Sequence, residues 1–144
     1  MLENVIKLLH ALGFESVDET DPWLSLVKRS TESTLLDLTN LDELPQALIP
    51  LAERMTAGEY LRMKKCCGQL DGFEASAEAK DIKLGDTTVS FSTDGCTTPE
   101  QRLDAIINAL THCDMAEIYR HRRLVCRIPA EGAGGLRLRC SPAG

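Results

Sequence analysis

The sequence predicts a mainly α-helical protein: a small bundle of about four helices, with a β-hairpin or extended loop between the third and fourth long helices. Three observations lead to this prediction. Apolar residues recur at helical spacing in four separate stretches. Capping residues or proline stand near the starts of several stretches, and glycine follows the ends of two. Residues 79–92 instead suggest two short strands, the second with the alternation of a half-buried strand.

The first two helices are predicted from their apolar spacing and from the residues at their ends. Residues 2–11 carry apolar side chains at helical spacing, and Gly13 lies just past the end of this stretch. Asp21 then offers an N-cap and Pro22 occupies the first position of a second helix. We expect this helix to end at Thr39-Asn40.

A third helix is predicted from about Pro45 to Cys67, with Gly68 as its stop signal. Pro50 marks either a later start or a kink, because proline lacks the amide that a helix interior requires. Gly58 costs about 1 kcal/mol relative to alanine in a helix interior. A close approach between two helices is a plausible reason for keeping glycine at this position.

The residues after this helix predict a hairpin and a sharply capped fourth helix. Two strands are possible, residues 79–84 and 87–92, joined by a turn at Gly85-Asp86. An isolated two-stranded hairpin has only marginal stability in water, so we expect it either to pack on the helices or to contact a neighbouring molecule. Thr98-Pro99-Glu100-Gln101 has the pattern of a capping box with proline at the first helical position. The apolar stripe of the helix that follows is Leu103, Ile106, Ile107 and Leu110.

The chain then divides into two parts. Residues 114–123 predict a last helical turn or two, and residues 129–144 have the composition of a flexible linker and tail. The expected organisation is therefore one helical domain, residues 1–128, followed by the tail.

Charge is distributed unevenly along the 144 residues. Residues 1–112 carry 10 basic and 19 acidic side chains, whereas residues 113–144 carry 6 basic and 3 acidic ones. Such asymmetry indicates that one end meets an acidic partner or is a solvated basic tail. The acidic charge of residues 1–112, here called the body, argues against tight nucleic-acid binding. We expect no membrane contact and a protein kept in the cytoplasm, because there is no long apolar run and no basic leader at the N-terminus.

The sequence offers no recognisable catalytic chemistry. Its six cysteines do not form the Cys-x-x-Cys spacing of zinc sites, its three histidines lack ligand partners at suitable spacing, and its glycines form no phosphate-binding pattern. We therefore expect no enzyme, no cofactor and no metal.

The basic segment Arg120-His121-Arg122-Arg123 leaves two interpretations open. It could contact phosphate as part of a small DNA-binding or regulatory module, although it is short and has no interleaved aromatic residues. If the segment is helical, Arg120 and Arg123 share a face that could instead meet an acidic patch on a neighbouring copy.

Several segments, in this order and spacing, resemble the small head–tail connector (adaptor, or head-completion) proteins of long-tailed bacteriophages and their prophages. The segments are Gly58-Glu59-Tyr60-Leu61 within residues 49–65, Gly68-Gln69-Leu70-Asp71-Gly72-Phe73, residues 82–91, residues 98–110, and the basic ending with Tyr119-Arg120 and Arg122-Arg123. The chain departs from this pattern at Pro50, at Cys66-Cys67 and in the added tail.

The resemblance implies a virion-assembly role. Copies would form a ring under the portal protein, extend the channel through which DNA passes without sequence-specific binding, and dock head-closure or tail-completion proteins. The expected location is the virion, assembled in the host cytoplasm. The candidate contacts with neighbours are Lys83, Asp86, Thr88, Phe91, Tyr119, Arg120, Arg122 and Arg123.

Overall fold

The fold is a small helical bundle, as the sequence predicts. The computed structural model describes residues 1–70 and 98–124 and the backbone of two strands, residues 81–84 and 87–90. Within these residues there are four helices of ten residues or more and two shorter ones. In chain order the elements are α1 (Leu2–Ala11), α2 (Pro22–Thr39), a 3₁₀ turn (Gln46–Leu48), α3 (Ile49–Cys66), β1 (Asp81–Leu84), β2 (Thr87–Ser90), α4 (Pro99–Thr111) and α5 (Met115–Arg120).

The predicted helix starts are confirmed at α2 and α4. The Asp21 carboxylate accepts the Trp23 amide at 2.8 Å, with Pro22 at the start of the helix. At α4, the Thr98 hydroxyl accepts the Gln101 amide at 3.2 Å, and the Gln101 side chain accepts the Thr98 amide at 3.3 Å. This reciprocal pair is the predicted capping box.

The ends of α1 and α3 are set by glycines in the left-handed conformation. Gly13 has φ +98° and Gly68 has φ +65°. At Gly68, the amides of Gly68 and Gln69 donate to the carbonyls of Lys65 and Lys64, both at 3.0 Å. This is a Schellman motif, which satisfies carbonyls that the last turn would leave unpaired.

Pro50 marks a later start of the third helix. The 3₁₀ turn at Gln46–Leu48 precedes α3, which begins at Ile49, so Pro50 lies in the first turn, where its missing amide costs no helical hydrogen bond. The predicted start near Pro45 is therefore a few residues early.

Helix α3 is the centre of the bundle, since α1, α2 and α4 all pack against it. Its close approach to α4 explains Gly58. A Cβ atom built at Gly58 would lie 2.7 Å from Cγ2 of Thr111 and 2.8 Å from Cβ of Leu110. The predicted reason for this glycine is thus confirmed. The buried α4 stripe is the predicted one: Leu103, Ile106, Ile107 and Leu110.

The two strands pair antiparallel, with Asp81 opposite Ser90 and Leu84 opposite Thr87. Their backbone positions are described, whereas the connecting Gly85-Asp86 and all side chains of residues 81–90 lie outside the described residues. The predicted hairpin as a packed part of the fold therefore stays a prediction, as does the tail of residues 129–144.

Candidate interaction surfaces

Helix α5 leads into the predicted basic segment, residues 120–123, and is anchored by one apolar side chain. Asp114 caps the helix by accepting the Ala116 amide at 2.9 Å. Ile118 is fully buried in a cluster that includes Leu35 and Leu48. With Ile118 directed inward, Tyr119 and Arg120 are both exposed.

The chain after α5 is held against the end of α2. The Arg123 amide donates to the Thr39 carbonyl at 2.7 Å, and the Asn40 side-chain amide donates to the Arg123 carbonyl at 3.2 Å. These bonds place residues 119–124, here called the basic end, beside the C-terminus of α2. Leu124, the last residue described, is 86% exposed.

The predicted helical face shared by Arg120 and Arg123 does not form. Helix α5 ends at Arg120, and the amides of His121 and Arg122 bond to carbonyls three residues earlier in a tightened last turn. The Arg123 amide then leaves the helix for Thr39. Helical spacing therefore does not place the two arginines on one face.

The arginines of the basic end are open to solvent. The Arg122 guanidinium lies 5.6 Å from the centre of the Tyr119 ring, a distance suited to a cation–π contact. Arg123 reaches Asp42 at 3.9 Å, but both side chains are largely exposed, so this pair contributes little. Among the described residues, Arg120 and Arg122 have no carboxylate within 4.0 Å.

An acidic surface lies at the other end of α2. The loop of residues 15–21, here called the acidic loop, exposes Glu15, Asp18 and Glu19, and in the described part of the chain none of these three forms an ion pair. The loop leads directly to Trp23, which is 41% exposed. The Asp18 carboxylate accepts hydrogen bonds from the amide and the hydroxyl of Thr20, at 3.0 and 2.6 Å. Exposed carboxylates and an exposed tryptophan on neighbouring residues are groups that an arginine can bind.

Asp21 differs from the other acidic residues of the loop because it is part of the fold. Besides capping α2, it accepts the Tyr60 hydroxyl at 2.6 Å and lies 3.5 Å from Lys64. Burial alone would raise the pKa of Asp21, but the hydrogen bonds from Tyr60 and Trp23 and the charge of Lys64 lower it overall. Burial and the same carboxylate raise the pKa of Tyr60.

The basic end and the acidic loop are separated by the length of α2. From Trp23 to Thr39 the helix rises about 24 Å, at about 1.5 Å per residue. Two surfaces of opposite charge therefore lie at the two ends of one helix.

The basic end is predicted from the sequence, whereas the acidic stretch of residues 15–21 is interpreted there only as a solvated connector with a cap, and Trp23 is not singled out. A signal was available, because Trp23 and Leu26 lie off the apolar stripe of Leu24, Val27 and Thr31. Of the candidate contacts on the strands, Lys83 and Thr88 are opposite each other in the register. Asp86, Phe91 and the Lys83 and Thr88 side chains lie outside the described residues.

A third surface is an apolar groove between α2 and α3. It has a volume of about 490 Å³. Leu26, 56% exposed, stands on its α2 side, and Met55 and Met63 on its α3 side. The other lining residues are Val27, Ser30, Thr31, Thr34, Glu59, Arg62 and Cys66.

Neither a metal centre nor a membrane span is found in the described part of the chain. Residues 1–70 and 98–124 contain no group of three or more His, Cys, Asp or Glu side chains that could hold a metal ion. None of the helices described has the length and apolarity needed to cross a membrane. Comparison with known proteins gives no match: no family model, no curated protein and no solved structure is significantly similar to the chain.

Proposed function

We propose that this chain is a structural assembly subunit whose copies join head to tail, in the manner of the head–tail connector proteins that the sequence resembles. In this proposal the copies form a ring under a phage portal protein, and the ring docks head-closure or tail-completion proteins. The observation that carries the proposal is the pair of oppositely charged surfaces at the two ends of α2.

Head-to-tail assembly requires two different surfaces that are complementary to each other. The basic end offers Arg120, Arg122 and an exposed Leu124. The acidic loop offers three exposed carboxylates, and the exposed Trp23 follows it. Because the two surfaces are about 24 Å apart on opposite ends of α2, one copy cannot satisfy both by itself. The contact between copies would form when the basic end of one meets the acidic loop of the next.

The charge of the body supports passage of DNA through such a ring better than attachment to DNA. Residues 1–112 have 19 acidic side chains against 10 basic ones, and like charge opposes binding to phosphate. A lumen lined by this body would let DNA slide.

Light scattering of the purified protein over a range of concentrations tests the proposal. We expect the mass to rise above that of a monomer with concentration, and to fall as salt is raised, because the contacts are between exposed charges. Arg122→Glu should weaken the association at least about tenfold, since it places like charges opposite each other. A wild-type protein that stays monomeric at every concentration would contradict the proposal.

Arg29→Glu is the matched control, because Arg29 is exposed on α2 and the charge change is the same. Equal weakening by both variants would mean that net charge, not the basic end, controls association.

The DNA-binding alternative rests on the same arginines, which are exposed and free to contact phosphate. It predicts duplex binding that weakens with salt, with a log–log slope of about −3 if three arginines each contact one phosphate. Gel-shift measurements at low and moderate salt separate the two functions: binding that Arg122→Glu removes would favour the DNA-binding module.

A further inference from the structure

We infer that the groove between α2 and α3 is a docking site for the C-terminal segment of the same chain, with Leu136, Leu138 and Cys140 entering it. The inference is independent of ring formation, since it concerns one copy alone. It starts from the position at which the described chain ends.

The described chain ends at the C-terminus of α2, the helix that forms one wall of the groove. Arg123 is held to Thr39 and Asn40 at the C-terminus of α2, and α2 contributes Leu26 and Thr34 to the groove. Thr34 is about 7.5 Å along the helix from Thr39, and Leu26 is about 20 Å from it. The 11 residues from 125 to 135 span up to about 36 Å, so residue 136 can reach every part of the groove.

The groove has an adaptable apolar surface that suits an apolar ligand. Met55 and Met63 are flexible side chains that can fit different partners, and Leu26 is largely exposed at its edge. The Thr34 hydroxyl donates to the Ser30 carbonyl at 2.9 Å, so this donor does not require a partner from the ligand.

The segment Leu136-Arg137-Leu138-Arg139-Cys140 has a matching pattern. In an extended conformation, Leu136, Leu138 and Cys140 share one side and cover about 13 Å. Leu26 and Thr34 are about 12 Å apart along the α2 wall. The two arginines then face outward, away from the groove, where the half-exposed Glu59 carboxylate is already paired with Arg62 at 3.1 Å.

Connectivity favours this occupant. A segment joined to its site by a linker of about 11 residues has an effective concentration of about 1 mM. A dissociation constant of about 0.1 mM would therefore keep the groove occupied about nine-tenths of the time.

Two adjacent cysteines provide the test, because Cys66 lines the groove and Cys67 does not, while both are exposed in the described structure. The full-length variants Cys67→Ser and Cys66→Ser each leave one of the two thiols. Their reaction with a maleimide, followed by peptide mass spectrometry, gives the rate at each position. We expect Cys66 to react about tenfold more slowly than Cys67, as the occupancy of the groove requires.

Leu136→Asp with Leu138→Asp in the same chain should raise the rate at Cys66 to that at Cys67. Ala130→Asp with Ala133→Asp adds the same two charges to the tail but retains both leucines, so Cys66 should stay protected. Equal rates at Cys66 and Cys67 in the two cysteine variants with both leucines intact, or protection that survives the leucine substitutions, would overturn the inference. Protection that disappears on dilution would also overturn it, because the occupant would then belong to a second copy.

Discussion

Gly58 gives the sharpest prediction about the packing of the bundle. Ordinary Cβ contacts lie at 3.4–4 Å, whereas a Cβ at Gly58 would lie 2.8 Å from Cβ of Leu110 and 3.1 Å from the Thr111 amide nitrogen. Neither atom can move by a side-chain rotation. Gly58→Ala must therefore move α3 and α4 apart along their contact.

The magnitude follows from two opposing terms. Overpacking a core lowers the free energy of unfolding by about 1–3 kcal/mol. Replacing glycine by alanine in a helix raises it by about 1 kcal/mol through helix propensity. We expect a net loss of about 1 kcal/mol in the free energy of unfolding. With a urea dependence of about 2 kcal/mol per molar, the midpoint should fall by about 0.5 M.

Urea unfolding followed by circular dichroism is the assay, and Ser33→Ala is the control. Ser33 is exposed on α2, so alanine there improves helix propensity without a close contact and should not lower the midpoint. A Gly58→Ala protein as stable as the wild type, or more stable, would refute the close approach of α3 and α4.

Two further predictions concern the helix caps. Asp21→Asn keeps a capping side chain but removes the charge, and should cost about 1 kcal/mol at pH 7. Because the folded pKa of Asp21 lies below its ordinary value of 3.8, the carboxylate stabilises the fold above pH 4, and this contribution is lost as the pH falls through the folded pKa. Urea midpoints of the two proteins should thus differ at pH 7 and converge in acid; a constant difference would contradict this. Thr98→Ala should cost about 1 kcal/mol in the same assay and Thr98→Ser much less, and equal losses would show that the hydroxyl does not cap α4.

Local signals in the sequence were sufficient to predict most of the helices. Asp21-Pro22 and Thr98-Pro99 predicted two helix starts, and Gly13 and Gly68 two helix ends, because caps and stops depend on residues within one turn. Gly58 was also interpretable, since glycine inside a helix is costly unless a neighbour comes close.

Features that depend on packing between distant segments were not predictable. The cap residue Asp21 also accepts the hydroxyl of Tyr60, 39 residues away, a contact that exists only once α2 lies against α3. The end of α5 depends in the same way on Thr39, whose carbonyl accepts a hydrogen bond from the Arg123 amide. The groove forms only where α2 packs against α3, so the sequence of neither helix predicts it alone.

The central claim, head-to-tail assembly through the two ends of α2, is tested most directly by mixing two charge-reversed proteins. One carries Arg120→Glu with Arg122→Glu, and the other carries Asp18→Lys with Glu19→Lys. Each should be monomeric alone, because its two surfaces then have the same sign. Mixed in equal amounts, they should restore the wild-type mass by light scattering, since every contact pairs opposite charges again. A mixture that stays monomeric while the wild-type protein associates would contradict the account.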